Sequence, residues 1–292
     1  METCYRQASR LISWITVEPV ELFYVLMFTT SNVVRDNLIL DKVCLLELDY
    51  PTEACYNLTH GAPTNGSIKT AVQNRAADLE VLDGILIALP SVLFSLFVGA
   101  WSDANGRKFV LILPFVGNIM SFIIYIINYH WFEVLSATQM LWGSVAGLTG
   151  GYVCLNIGLY GYVSDVTSAE DRTMRLSILN GVFSGGYVLG TTIGGKLFKA
   201  FDNYYLNFGV SIGFGVLGII YTIFLVSESI SPQEARNVKF FDARNVRESL
   251  RVAFKARPNH GRLHVILLII NFAIFMFCLN TFHYDYLLVI NR

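Results

Sequence analysis

The chain has 292 residues, of which 54% are hydrophobic and only 15% charged, a balance too apolar for an ordinary soluble domain. A formal net charge of -1 leaves no dominant basic face, which argues against a nucleic-acid partner. The composition points instead to a chain solvated by lipid.

Apolar stretches of about 20 residues, the length that crosses a bilayer, recur at 18–40, 80–101, 109–129, 134–158, 176–199, 204–226 and 263–290. Lipid cannot satisfy a free backbone, so each is predicted to be a helix. The ten-residue alternating strands of a membrane barrel are absent. The expected fold class is an all-α polytopic membrane protein. Residues 1–17 carry charges and no small-residue cleavage site after a short apolar core, so they read as a tail rather than a cleaved signal.

The bases set the orientation. Arg6 and Arg10 precede the first span, Arg107 and Lys108 separate the second from the third, and Arg172 and Arg175 precede the fifth. The segment 227–262 adds Arg236, Lys239, Arg244, Arg247, Arg251, Lys255, Arg257 and Arg262. All fall on one side, while the other holds the sparser Lys42, Lys69, Arg75, Lys196 and Lys199. The positive-inside rule therefore places the N-terminus in the cytoplasm. The polar loop 41–79 then faces outward, and it carries two glycosylation sequons, at Asn57 and Asn65. Cys44 and Cys55 share that loop, where a local pair and a bridge to another loop both stand open. Cys4 lies in the cytoplasm on this topology, and Cys154 and Cys278 read as buried thiols within spans.

Between the second and third spans stands Gly99-Ala-Trp-Ser-Asp103-Ala-Asn-Gly-Arg107-Lys108, a short polar hairpin at the cytoplasmic face. Gly161-Tyr-Val-Ser-Asp165 echoes its Gly-x-x-Ser-Asp at the inner end of the fourth span, and Arg172 and Arg175 follow as Arg107 and Lys108 follow the first copy. A carboxylate there accepts from a helix N-terminus or pairs with arginine, so the two copies are read as a two-part inner gate: Gly99, Ser102, Asp103, Gly106, Arg107, Lys108, Asp165, Arg172 and Arg175. Glycines recur every fourth residue at Gly143, Gly147 and Gly151, and again at Gly186, Gly190 and Gly194. Such stripes let neighbouring helices approach closely. The linker 227–262 is partly amphipathic from Phe240 to Phe254 and suits either a membrane-surface helix or a solvated tether.

The hairpin resembles the cytoplasmic-loop motif of the major facilitator superfamily, and its GAWSD core is most similar to the proton-coupled folate transporter family, solute carrier family 46. Val17-Glu18-Pro19 at the first span, the sequon-bearing outer loop, and Ser164-Asp165-Val166 ahead of Arg172-Thr-Met-Arg175 agree in place. The resemblance implies a six-helix N-terminal half over 18–226, the linker 227–262, and the first helix of a second half over 263–292, where the chain stops. It implies a proton-linked symporter of organic anions or conjugates (folate-like, steroid-conjugate or muropeptide-type), working by alternating access at the plasma or lysosomal membrane. Asp103 is then expected to pair with Arg107, Gly99 to permit close helix contact, and Gly106 to allow the turn. Two departures stand out. The family's helix-five glutamate falls on Asn180, an amide with no proton to take up near neutral pH, and its helix-four acid falls on Gly151.

Polar residues within spans mark the expected cavity, since a buried polar group is costly without a partner or a task. They are Asn32, Tyr152, Asn156, Asn180, Tyr187 and Asn271, with Arg35 beside Asp36 near the outer end of the first span as an anion contact or an interfacial marker. Proton candidates are His283, Asp285 and Asp83, for which a solvated interfacial role is the simpler reading. No metal-ligand spacing, nucleotide loop or hydrolytic constellation is present, so neither a cofactor nor an enzyme is expected. The expected partners are a small-molecule substrate, protons and the bilayer. Alternatives are a non-transporting short form that associates with itself or with a full-length carrier, and a seven-helix receptor suggested by span count alone.

Overall fold

A computed structural model describes residues 15–229 continuously, and beyond them 240–241, 247, 251, 262–264, 266–271 and 274. The described elements are all helical. The chain divides into a unit up to Lys239 and a second from Phe240.

Helix α1 runs Glu18–Lys42, opened by Pro19 and by Glu18 and Glu21, which suit the positive end of the helix dipole, and closed by Lys42. A π-type turn, Val43–Glu47, and a short α2, Thr52–Thr59, lead into α3, Gly66–Asn105. Asn65 caps α3 by accepting from the Ser67 amide at 3.1 Å. The loop expected over 41–79 is thus largely helical. Its last part extends the second span, because Val72, Ala76 and Leu79 fall on one helical face and are buried.

After Gly106 come α4, Lys108–His130, a 3-10 segment, Ala137–Thr149, α5, Gly151–Val166, α6, Arg172–Phe201, and α7, Tyr204–Leu225. The fourth span is therefore broken. Gly150 and Gly151 take φ of 78° and 48°, left-handed values that only glycine adopts cheaply. This corrects the first glycine stripe. Gly143 packs on the Tyr125 ring of α4, whereas Gly147 meets the Ile87 backbone of α3 and a Cβ at Gly151, at the break, would lie 3.4 Å from Ser91 Oγ of the same helix.

The second stripe does meet a neighbour. A Cβ at Gly186 would come within 3.2 Å of Leu22, one at Gly190 within 3.3 Å of the Leu26 backbone, and one at Gly194 within 3.0 Å of the Thr30 backbone. The face of α6 is thereby pressed against α1, which also packs on α7. Helix α4 packs on the 3-10 segment, α5 and α7, while α3 covers the 3-10 segment and α5.

Among the described residues, five segments are long and apolar enough to cross a membrane: Gly66–Asn105, Lys108–His130, Ala137–Val166, Arg172–Phe201 and Tyr204–Leu225. Exposed Leu86, Leu89 and Leu93 on α3, and Val188 and Leu189 on α6, are surfaces that lipid covers. Helix α1 has the length of a span, 25 residues, but six ionisable groups. In the second unit an apolar helix spans Arg262–Asn271, with Asn271 exposed. Most of the linker reading, Cys4, Cys278, His283, Asp285 and the remainder of the seventh span lie outside the described residues.

Candidate functional site

The hairpin from α3 to α4 is built around one guanidinium. Gly106 turns the chain with φ 104°, and Arg107, 7% exposed, points back under α3. Its Nη1 donates to Ser102 Oγ at 2.7 Å, its Nη2 pairs with Asp103, and its Nε reaches Asp165 Oδ2 at the end of α5 at 3.0 Å. A Cβ at Gly161 would stand 2.7 Å from the guanidinium carbon, so this glycine admits the arginine. Asp165 therefore serves the first copy of the motif, not the arginines that follow its own. Arg172 donates to the Ser164 carbonyl at 3.0 Å.

One participant is absent from the sequence expectation. Glu228, just past α7, accepts from the Arg107 amide at 2.7 Å and the Lys108 amide at 3.3 Å. It thereby caps the otherwise uncapped N-terminus of α4 with a carboxylate. Lys108 Nζ donates to the Ile223 carbonyl at 2.6 Å. The only signal was a lone acid in Ser227-Glu228-Ser229 after an apolar run. At Gly99 a Cβ would meet nothing within 4 Å among the described residues.

A second tie joins α1 to α6. Arg175 and Glu18, with side chains 5% and 6% exposed, pair at 3.2 Å, and Arg175 also donates to Thr167 Oγ1 at 3.1 Å and to Thr16. Beside it lies a cavity of about 210 Å³ lined by Thr16, Tyr162, Thr167, Ser168, Asp171 and Arg175.

Toward the C-terminal end of α1, Arg35 bridges Asp36 at 3.0 Å and Asp83 at 2.7 Å, and Ser144 Oγ donates to Asp83 at 2.5 Å. The interfacial, solvated reading of Asp83 is corrected: it is 5% exposed, because α3 starts a long way earlier and carries it into the bundle. Lys42 is buried as well, its ammonium held by the Phe132 and Leu135 carbonyls at 3.1 and 2.6 Å. Cys44 and Cys55 form a local disulfide, which pins α2 to the end of α1. His60 faces Asp202 at 3.2 Å. Asn57 is half-buried on α2, and Asn65 is exposed.

Four of the expected cavity residues come together between α1, α5 and α6. Tyr152 stacks on Tyr24 at 6.0 Å and on Phe183 at 5.5 Å, and Phe183 adjoins Tyr187 at 6.3 Å. Asn156 donates to the Tyr152 carbonyl at 2.9 Å, and the Tyr160 hydroxyl donates to Asn180 at 3.3 Å. Asn118 of α4 closes the floor by donating to the Tyr24 hydroxyl at 3.1 Å. Tyr24, Asn118, Tyr160 and Phe183 were not singled out from sequence, since aromatics at helical spacing read equally well as core. Asn32, half-buried on α1, does not join this group, and Asn271 belongs to the second unit. Among the described residues no cluster of His, Cys, Asp or Glu suits a metal.

Comparison with known proteins followed this geometry. The model of the Major Facilitator Superfamily matches residues 76–290. The proton-coupled folate transporter of Rattus norvegicus is 23% identical over 69% of this chain and 41% of its own length. The probable peptidoglycan muropeptide transporter SLC46 of Drosophila melanogaster is 25% identical over 68% of this chain and 40% of its own. The lysosomal proton-coupled steroid conjugate and bile acid symporter SLC46A3 of Gallus gallus is 22% identical over 89% of this chain and 58% of its own. The crystal structure of the human organic anion transporter MFSD10 (TETRAN) superposes with a TM-score of 0.56 at 17% identity, covering 82% of this chain and 53% of the other. The chain thus spans roughly half, or less, of the length of these relatives.

Proposed function

Because this chain belongs to the major facilitator superfamily, and is therefore an integral multi-pass membrane protein, we propose that it supplies the N-terminal half of a secondary transporter. Its gate would be the Arg107 junction, and its share of the substrate site the Tyr24–Tyr152–Phe183–Tyr187 face. The observation that carries this reading is Arg107 itself, a buried cation that joins the α3–α4 hairpin to α5 through Asp165 while Glu228 draws in the end of α7. Such a junction holds the inner ends of several helices together and lets go as a unit. Alternating access requires that behaviour.

The substrate class we propose is an organic anion or conjugate moved with protons. The names of the folate, muropeptide and steroid-conjugate relatives support it, as do the aromatic walls, which suit a flat or apolar body. The test is uptake of radiolabelled folic acid, estrone sulfate and muramyl dipeptide in cells expressing the complete reading frame that contains this chain. Uptake of at least one that is lost in Arg107→Ala supports the reading. Uptake of none, with the protein at the membrane, overturns it.

As a second reading we propose that residues 1–292 associate with a full-length carrier without transporting. Co-purification of differently tagged short and long forms from membranes checks this, and the absence of any complex refutes it. The seven-helix receptor reading has no support beside the superfamily match.

A further inference from the structure

Five of the six ionisable groups of α1 have partners. Glu18 pairs with Arg175, Arg35 and Asp36 with each other and with Asp83, Asp41 accepts from the Tyr204 hydroxyl at 2.5 Å, and Lys42 meets two carbonyls. Glu21 is held less completely: the Tyr152 hydroxyl meets its carboxyl, and no cation does. Its side chain is 2% exposed, its Oε2 has no hydrogen-bond partner, and none of the ion pairs among the described residues includes it. It lies one helical turn from Tyr24 and beside the Tyr152 hydroxyl, at the aromatic face described above.

An acid without a cation partner inside a membrane bundle calls for a role rather than a packing explanation. The groups around it narrow that role. Tyr24 faces it from its own helix and Tyr152 and Tyr160 from α5; behind them Asn118 of α4 holds Tyr24, and Asn180 and Phe183 of α6 adjoin Tyr160 and Tyr152. Arg175 of α6 is engaged by Glu18, one turn from Glu21 on α1. The site therefore has one switchable charge, and its sign is negative.

We propose that Glu21 is the proton-binding residue that couples proton entry to anion binding, in the place left by the amide at Asn180. The substrate half of this inference rests on the transporter reading above; the proton half does not. With Glu21 ionised, an anion at the aromatic face meets a like charge across a few ångströms of weakly screening protein. A proton taken onto the carboxylate removes that repulsion, and by linkage a bound anion favours the proton equally. Each ligand then recruits the other, and the two cross together. Among the described residues no ion pair neutralises the acid in the proton's stead.

Two measurements on the complete reading frame keep the halves apart. Infrared difference spectra of purified protein between about pH 8 and pH 5 should show a protonated-carboxyl band that disappears in Glu21→Gln and shifts in Glu21→Asp. The same band in wild type and Glu21→Gln overturns the proposal whatever is transported. For a carried anionic probe, wild-type uptake should rise about tenfold over that interval. Glu21→Gln should exchange the probe at a pH-independent rate but lose accumulation against its gradient. Unchanged pH dependence in Glu21→Gln overturns the coupling role. Failure of wild type to carry any of the three probes counts against the transporter reading alone. Uptake of tetraethylammonium abolished by Glu21→Gln and strongest at neutral pH would make Glu21 a cation site, and overturns the proposal too.

Discussion

The Glu18–Arg175 tie gives the sharpest stability test, because both side chains are almost fully buried, at 6% and 5% exposure. Replacing Arg175 by Met removes the cation and leaves Glu18 buried, with its Oε2 still accepting from the Thr16 and Val17 amides at 2.7 and 3.0 Å. Breaking one side of a buried pair typically costs about 3–5 kcal/mol, much of it the penalty on the stranded charge. Glu18→Gln strands Arg175 in the same way, although Thr167 and Thr16 still accept from it and soften the loss. The double variant strands nothing. Its cost should fall well below the sum, giving a coupling energy of about 1–3 kcal/mol. At roughly 2–4 °C per kcal/mol, Arg175→Met should lower the unfolding midpoint in detergent by about 6–20 °C, with the double variant between it and wild type. Additive single effects, or a shift under about 2 °C for Arg175→Met, would show that the pair contributes nothing and refute the reasoning.

Other expectations follow from single contacts. Gly106→Ala places a Cβ 2.5 Å from the Glu228 carboxyl at a φ of 104°, so labelling of a cysteine reporter at the cytoplasmic end of the cavity should accelerate; an unchanged rate argues against a closed latch there. Glu228→Gln keeps an acceptor for the Arg107 and Lys108 amides but removes the charge, and should loosen the latch less than Glu228→Ala by the same labelling assay. Gly194→Val drives a side chain into the Thr30 backbone and should abolish the monodisperse peak in fluorescence-detected size exclusion, whereas Gly195→Ala, with open space around it, should leave that peak intact. Asn65→Gln should remove one glycan on a gel if the segment after α1 faces outward; Asn57→Gln, on half-buried α2, should change mobility little.

How far the sequence could be read depended on whether a feature was local. The hairpin was legible because Gly106, Arg107 and Asp103 lie within a few residues, and a turn with a fixed ion pair has a compact signature. Helix existence followed from apolar length, and the outer disulfide lay among the few options that one loop offers. Glu228 was not legible. Its partners lie on the far side of α4 in sequence, and a lone acid after an apolar run looks like any membrane-surface residue. The start of α3 was misplaced for a related reason: a half-polar stretch such as 66–79 looks like a loop until its buried side, Val72, Ala76 and Leu79, has something to pack against. The break at Gly150–Gly151 was hidden inside a glycine pattern that suggested a smooth helical face.

Glu21 shows the same limit from the other direction. Read along the chain, Glu18 and Glu21 are two acids in the first turns of one helix, equivalent in their favourable interaction with its dipole. Only the fold separates them. Three residues rotate the side chain by about 300° and advance it by about 4.5 Å, enough to put Glu18 on the Arg175 guanidinium and Glu21 against Tyr152. One acid is thereby locked into the inner tie. The other keeps one carboxylate oxygen without a hydrogen-bond partner at the face where a substrate is expected. A substitution exchanging their chemistry separates the two roles: Glu18→Gln should lower stability and leave the titrating carboxyl band in place, while Glu21→Gln should remove the band and leave stability at or above wild type, since it relieves a buried polar group of its charge. If both substitutions destabilise equally and neither alters the band, the two acids are a structural pair, and the functional distinction drawn between them fails.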